Sequence, residues 1–177
     1  MNKTTKLVTV SMLCAIAYTA VLVGRIPLIL FLKYDPKDII ITIGGFILGP
    51  VTAFLMAVIV SFIEMCTIST TGVIGCVMNI ISSCSFACTA SFVYQKRKDF
   101  PGAVMGLSVG CVVMTIAMLL WNYLIAPIYM GYSREEVFKL LLPVFLPFNV
   151  IKSVLNAIGT ILLYKPVVSV QKRLHLI

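Results

Sequence analysis

Charged residues are scarce in this chain, and histidine and tryptophan are nearly absent. Only 11% of the 177 residues are charged, with six acidic side chains, one histidine and one tryptophan. A soluble domain carries roughly 25% charged residues, so an ordinary water-exposed surface is excluded. Hydrophobic residues instead make up 60% of the chain, and the mean hydropathy is +1.09. The composition therefore predicts an integral membrane protein, with room for about five or six helices of ~20 residues.

The motifs of common enzyme active sites and metal centres are also missing. The only histidine, His175, lies in the basic tail, and the six cysteines include no CxxC pair. The sequence has no Walker lysine loop, no HExxH, no GxSxG and no acidic metal-binding pair. We therefore expect no catalytic residues, no metal and no cofactor. The long internal repeat of many secondary transporters is absent too, so uphill transport would need energy from a partner.

The formal net charge of +8 comes from 14 basic residues against six acidic ones. A basic excess can indicate nucleic-acid binding, but here the basic side chains lie mostly in short predicted loops and tails. In those places they orient a membrane protein and contact anionic lipid. Membrane lipid is therefore the expected partner of this charge, and nucleic acid is not.

Hydrophobic runs and their breaks predict a single membrane domain over residues 1–177. The predicted helices lie at about 7–24, 39–48, 51–66, 72–94, 102–127 and 137–165. They leave a loop at 25–38, which a six-span topology with the N-terminus inside puts on the extracellular side. Two prolines exclude a continuous helix in that loop, which is long enough to fold back over a cavity mouth. Gly49-Pro50 either kinks one long helix, giving five spans, or separates two short ones, giving six. Loop charges fit both topologies about equally well.

The first predicted helix carries small residues at four-residue spacing, Ser11, Ala15 and Thr19. A stripe of small residues lets another backbone approach closely, which favours helix association in lipid. The stripe predicts either contact with a partner protein or packing within this chain.

Polar side chains inside the apolar runs are the main functional signal, because hydrocarbon offers them no water. The candidates are Glu64, Asn79, Asn122, Asn149, Lys152 and Asn156. A lysine in mid-span costs about 2.5–3.5 kcal/mol on insertion scales, so a specific role is expected for it. Asn149, Lys152 and Asn156 are spaced so that they share one face of a helix.

Two of the predicted helices together suggest a ligand pocket. Asn122 lies between the aromatic residues Trp121 and Tyr123. If its helix faces the helix that carries Asn149 and Lys152, the site between them offers carboxamides, one cation and aromatic surface. Such a pocket suits a flat heteroaromatic ligand with carbonyl and N–H edges, because asparagine donates and accepts hydrogen bonds side by side.

Structural roles for the same residues stay open. Asn79 and Asn156 can simply join helices through hydrogen bonds worth about 0.6 kcal/mol each. Lys152 can pair with Glu64 inside the protein or extend its side chain to the membrane interface. Glu64 can also lie near an outer helix end, where a carboxylate costs little.

Three stretches of the sequence resemble one known family. They read "FLKYDPKD" before a short helix with "GFILGP", then "WNYLIAPIY", then "LPFNVIKSVLNAIGTILLYKP", in this order over nearly the whole chain. Together they resemble the riboflavin-specific substrate-binding (S) components of energy-coupling factor (ECF) vitamin transporters. The resemblance implies an all-α integral membrane protein, an S-component-like bundle of six transmembrane helices with both termini in the cytoplasm, in a bacterial plasma membrane.

The same resemblance implies a function and partners. Riboflavin would bind with high affinity on the outer side, and delivery inward would need a transmembrane coupling subunit and two cytoplasmic ATPases. In that family a small-residue AxxxA motif on the first helix contacts the coupling subunit. The matching stretch here, "SMLCA", has serine in place of the first alanine, so the partner-contact residues would be Ser11 and Ala15.

Matching motifs also assign the ligand site. They implicate Tyr34, Asp35, Asn122, Asn149 and Lys152. Our hypothesis is that the isoalloxazine ring lies in the apolar pocket with its pyrimidine edge against Asn122, Asn149 and Lys152, the lysine acting as a hydrogen-bond donor. Asn79 and the loop at 33–35 are further candidates, for the ribityl hydroxyls, and the loop would close the entrance.

Other functions fit less well. An S-component for another vitamin or heteroaromatic ligand would share the fold, and an intramembrane lysine argues against a cation such as thiamine. A lipid-modifying enzyme needs paired acidic residues, and only Glu64 is predicted within a hydrophobic region. A stand-alone carrier would use intramembrane carboxylates and usually shows paired broken helices.

Overall fold

Six helical segments and one short hairpin form the part of the chain that this computed structural model describes, residues 2–29, 32–69 and 71–173. The elements are α1 Lys3–Gly24, β1 Ile26–Ile29, β2 Leu32–Tyr34, α2 Lys37–Leu48, α3 Pro50–Thr67, α4 Gly72–Ser83, α5 Thr89–Arg97, α6 Phe100–Met130, α7 Arg134–Leu140 and α8 Leu146–Arg173. Turns of π-helix at Cys84–Cys88 and Leu141–Phe145 join α4 to α5 and α7 to α8 as two continuous helices. The predicted all-α membrane protein with six helices is confirmed.

The break between α2 and α3 explains why the sequence allowed two topologies. Gly49 has φ +96° and ψ 166°, a conformation that favours glycine, and Pro50 begins α3 where its missing N–H costs nothing. Two helices therefore replace one kinked helix. With 12 residues α2 is about 18 Å long, whereas the other five segments are long and apolar enough to cross a membrane.

The segment predicted as a loop at 25–38 is more ordered than expected. Strands β1 and β2 pair antiparallel, with Ile26 opposite Tyr34. Helix α2 then begins at Lys37 instead of at residue 39, so Lys37 and Asp38 belong to its first turn. Both side chains are wholly buried, although the sequence placed them in an exposed loop.

The two ends of the bundle differ in chemistry. At one end Lys37, at the start of α2, pairs with Glu64 near the end of α3. At the other end Phe46 stacks on Tyr94, with ring centroids 4.2 Å apart, and Tyr164 lies edge-on to both rings. We call these the charged end and the aromatic end. Because successive helices reverse direction, the start of α1 and the end of α8 both lie at the aromatic end.

Helix α6 approaches the backbone of α5 closely at Gly106. A Cβ atom placed on Gly106 would lie 2.6 Å from the carbonyl oxygen of Ala90. Small residues permit such contacts between membrane helices, where packing replaces the hydrophobic effect as the main attraction. The contact fixes the position of α6, whose Met118 and Asn122 reach the charged end.

Replacing Gly106 by alanine should destabilise the bundle. The added methyl group must displace backbone atoms of Ala90, so we expect a loss of about 1–3 kcal/mol, as for overpacked cores. Thermal unfolding in detergent, followed by circular dichroism, should show a lowered midpoint. Ser108→Ala, at an exposed position on the same helix, is the matched control. Equal midpoints for the two variants would contradict the close contact.

Candidate ligand-binding site

A cavity of about 380 Å³ opens at the charged end of the bundle. This volume falls within the roughly 300–1,000 Å³ of small-molecule sites. Its lining combines residues of the hairpin region, the α3–α4 connection and helices α4, α6 and α8. The polar lining consists of Arg25, Lys33, Asp35, Ser69, Thr71, Asn79, Ser82, Asn122, Asn149 and Lys152, and the larger apolar side chains are Ile74, Met78, Met118 and Phe148.

Most of the ligand-binding residues predicted from sequence meet in this cavity. The lining includes Asp35, Asn79, Asn122, Asn149 and Lys152, which come from separate segments of the chain. Tyr34 is buried at the base of the hairpin and does not line the cavity. The cavity is also not lined by Trp121 or Tyr123, which were expected to provide an aromatic surface. Phe148 provides it in their place.

Lys152 is held at the inner wall of the cavity. Its Nζ donates to Ser82 Oγ at 3.1 Å and lies 3.8 Å from Asp38 Oδ2. An ammonium group has three donors, so a proton remains for a ligand. The proposed pairing of Lys152 with Glu64 is wrong, because the described partners of that carboxylate are other residues. Nor does Lys152 reach outward to the interface, since it is only 5% exposed.

The two asparagines on facing helices have similar local contacts. Asn122 Nδ2 donates to the carbonyl oxygen of Met118, and Asn149 Nδ2 donates to that of Phe145, both at 2.8 Å. Each bond joins residues four apart on one helix and fixes the side chain against its own backbone. Asn149 Oδ1 is buried and accepts no hydrogen bond from the described residues. Asn149 therefore offers an acceptor beside the Lys152 donor.

Beside the cavity lies an ionic network that sequence reasoning missed in part. Glu64 accepts hydrogen bonds from Lys37 Nζ at 2.6 Å, from Asn79 Nδ2 at 3.2 Å and from Arg25 Nη2 at 3.3 Å. Arg25 also donates to both carboxylate oxygens of Asp35, at 2.6 and 3.2 Å. Glu64 is 1% exposed, so it is not at a solvated helix end.

Asp38 forms a second part of the network. It accepts from Ser83 Oγ and from Asn156 Nδ2, the latter at 3.1 Å, and faces Lys152. Asn156 therefore joins α8 to α2 and does not line the cavity, which is the interhelical role considered above. Arg25, Lys37 and Lys152 balance Asp35, Asp38 and Glu64 in number, and such pairing is what buried charges require. Tight clustering of opposite charges around Pro36 was the sequence signal for this network.

The ionisation of the hairpin base follows from these contacts. Burial raises the pKa of Asp35, but the hydrogen bond from Arg25 and the nearby charges of Lys152 and Lys37 outweigh it, and the pKa lies below the usual value. The hydrogen bond to Asp35 likewise raises the pKa of Arg25. Burial and the charges of Asp38 and Asp35 raise the pKa of Tyr34 to about 12. At neutral pH the hairpin base is thus an intact ion pair beside a neutral phenol.

The small-residue stripe on α1 faces outward. Ser11 and Ala15 are exposed, whereas the side of α1 that packs on the bundle carries Cys14, Ala17 and Val21. Only 17% of the most apolar stretch of α1 is buried, against 33–39% for the other spanning segments. Of the two interpretations of the stripe, packing within this chain is therefore wrong.

Comparison with known proteins agrees with this architecture. The family model described as "ECF transporter, substrate-specific component" matches residues 5–164. The riboflavin transporter RibU of Staphylococcus aureus (strain TCH60) is 28% identical, with 98% of this chain and 96% of that protein covered. The riboflavin transporter FmnP of Bacillus subtilis (strain 168) is 30% identical, with 98% and 99% covered.

A solved structure supports the same assignment. The structure described as "Structure and mechanism of the S component of a bacterial ECF transporter" superposes with a TM-score of 0.82 at 27% identity, covering 97% of this chain and 99% of that one. The relatives are named as transporters, which confirms that the chain is not an enzyme. The chain belongs to the family of substrate-specific components of ECF transporters.

Proposed function

We propose that the protein is the riboflavin-binding subunit of an ATP-driven ECF importer in a bacterial plasma membrane. The observation that carries this proposal is the meeting of Asp35, Asn79, Asn122, Asn149 and Lys152 in one cavity. The sequence predicts the same five residues as a flavin site, and relatives named riboflavin transporters match the chain over 98% of its length.

The chemistry of the cavity suits a flavin ring. Met78, Met118 and Phe148 provide apolar surface for the flat isoalloxazine system. Lys152 supplies a hydrogen-bond donor, and Asn149 Oδ1 supplies an acceptor next to it. The pyrimidine edge of a flavin alternates carbonyl groups with an N–H group, so this donor and acceptor match adjacent positions on that edge.

The distribution of charge supports binding from outside. Basic residues at the aromatic end, such as Lys3, Lys6 and the run at 96–98, lie on the exposed surface. At the charged end, Arg25 and Lys37 are neutralised by buried carboxylates. Although Lys33, Arg134 and Lys139 are exposed at the charged end, more of the exposed basic residues lie at the aromatic end. From the positive-inside rule we infer that the aromatic end, with the start of α1 and the end of α8, faces the cytoplasm. The cavity then opens outward.

The exposed face of α1 suits a protein partner. Ser11 and Ala15 are exposed on the least buried of the five spanning segments, and small residues allow close helix contacts. In the proposed importer this face contacts the transmembrane coupling subunit, which in turn joins the two cytoplasmic ATPases. The chain would thereby draw on ATP hydrolysis that it does not perform itself.

Riboflavin binding by the purified protein tests the proposal. We expect protein in detergent to quench the fluorescence of added riboflavin, with saturation at one equivalent, and protein from riboflavin-containing cells to be yellow. Colourless protein that also leaves riboflavin fluorescence unchanged would reject the ligand. Binding of another vitamin in a parallel screen would then favour the same fold with a different specificity.

A further inference from the structure

Glu64 lies outside the cavity but contacts two residues of its wall. Its Oε2 atom accepts from Asn79 Nδ2 at 3.2 Å and from Arg25 Nη2 at 3.3 Å. Arg25 and Asn79 line the cavity, whereas Glu64 does not, and Glu64 is 1% exposed. Any effect of Glu64 on a ligand must therefore pass through these two neighbours.

Glu64 is paired with a cation at each of its two carboxylate oxygens. Lys37 Nζ, which is wholly buried, donates to Oε1 at 2.6 Å, and the Arg25 guanidinium faces Oε2. Two adjacent cations favour the charged form of a carboxyl group, and an ionised carboxylate can only accept hydrogen bonds. Asn79 must therefore turn its NH₂ group toward Glu64. This leaves Asn79 Oδ1 as the free half of the carboxamide, and none of the described residues donates to it.

Arg25 is fixed in the same way. Its Nε and Nη2 atoms are bound to Asp35, and Nη2 also bonds to Glu64. A guanidinium group has five N–H donors, so Nη1 remains for a ligand. This side of the cavity thus combines an acceptor on Asn79 with a donor on Arg25. Hydroxyl groups both donate and accept, so a chain bearing several hydroxyls is the ligand part that fits.

We propose that Glu64 is a positioning residue for the hydroxylated part of the ligand. It sets Asn79 as a hydrogen-bond acceptor and holds Arg25 as a donor, while Lys152 and Asn149, both on α8, serve the ring. The inference rests on the proposed function, in which the ligand is riboflavin and the hydroxylated part is its ribityl chain.

Comparison of two flavins in Glu64→Gln tests the proposal. Glutamine at this position has an NH₂ group that can donate to Asn79 Oδ1, so the carboxamide of Asn79 can reverse and present a donor to the cavity. Lumiflavin has the same ring system as riboflavin but no hydroxyl chain. Glu64→Gln should weaken riboflavin binding by about 10-fold or more, and lumiflavin binding by less than about threefold.

A second variant and a control separate this effect from damage to the fold. Glu64→Gln leaves the buried Lys37 without its anionic partner, so the double variant Lys37→Met/Glu64→Gln removes both charges and should show the same difference between the flavins. Ser61→Ala is the control, because Ser61 is buried one turn away on α3 and its hydroxyl has no partner among the described residues. It should leave both affinities unchanged.

The outcomes are distinct. Equal losses for riboflavin and lumiflavin in both variants would show that Glu64 is merely structural and would overturn the proposal, as would unchanged riboflavin affinity. Wild-type protein that binds neither flavin would instead reject the proposed function, and this inference with it. A loss confined to riboflavin supports the positioning role.

Discussion

Replacing Lys152 by methionine is expected to weaken riboflavin binding by about 10- to 150-fold. The range corresponds to the roughly 1.5–3 kcal/mol of a hydrogen bond to a charged group. Methionine has a similar length and keeps apolar contact with the cavity, so the change removes the donor together with the positive charge that lies 3.8 Å from Asp38. Lys152 is 5% exposed and lines the cavity, so the expected loss is that of a donor to the ligand. Fluorescence quenching titrations of both proteins give the ratio of dissociation constants.

The matched control for this experiment lies on the same helix. Lys165 is exposed near the aromatic end of α8, far from the cavity, and Lys165→Met should leave riboflavin affinity unchanged. A Lys152→Met protein that binds riboflavin within threefold of the wild type would refute the assignment of Lys152 as a ligand donor.

Replacing Lys37 by methionine is expected to lower the free energy of unfolding by about 3–5 kcal/mol. Lys37 is wholly buried and its Nζ lies 2.6 Å from Glu64 Oε1, so its loss leaves part of a buried carboxylate uncompensated. Removing one member of a buried pair is costly because the remaining charge stays out of water. Unfolding in detergent by denaturant titration measures the difference.

A double variant distinguishes charge from packing as the cause. In Lys37→Met/Glu64→Gln both charges are gone, so the double variant should be more stable than Lys37→Met alone. Lys139→Met, at an exposed position on α7, should cost nothing measurable. If the Glu64→Gln change instead lowered the free energy of unfolding further in the double variant, the loss in Lys37→Met would not come from the broken ion pair.

Helical periodicity, together with the energetic cost of polar side chains in hydrocarbon, was enough to predict part of the cavity lining from the sequence. Asn149 and Lys152 lie three residues apart in an apolar run, where polar side chains are expensive and share a face of any helix. Both line the cavity, together with Asn122 from a facing helix. The choice between five and six helices depends on the backbone conformation of Gly49, which separates α2 from α3. A Gly-Pro sequence allows that conformation but does not require it.

The ionic network beside the cavity could not be predicted because its partners are distant in sequence. Lys37 and Asp38 belong to a charged, proline-containing segment that has every local feature of an exposed loop. Their burial depends on Glu64, 27 residues later, and on Asn156, 118 residues later. Local patterns report on neighbours along the chain, whereas a buried ion pair is decided by which helices meet.

The shortness of α2 sets the depth at which a ligand can sit. The hydrocarbon core of a membrane is about 30 Å thick, and a helix of 12 residues fills about 18 Å of it. The segment before α2 supplies Arg25, Lys33 and Asp35 to the lining of the cavity. Extending α2 toward its N-terminus would draw Asp35 and Lys33 into the helix, so the short helix leaves these residues to border the space for a ligand.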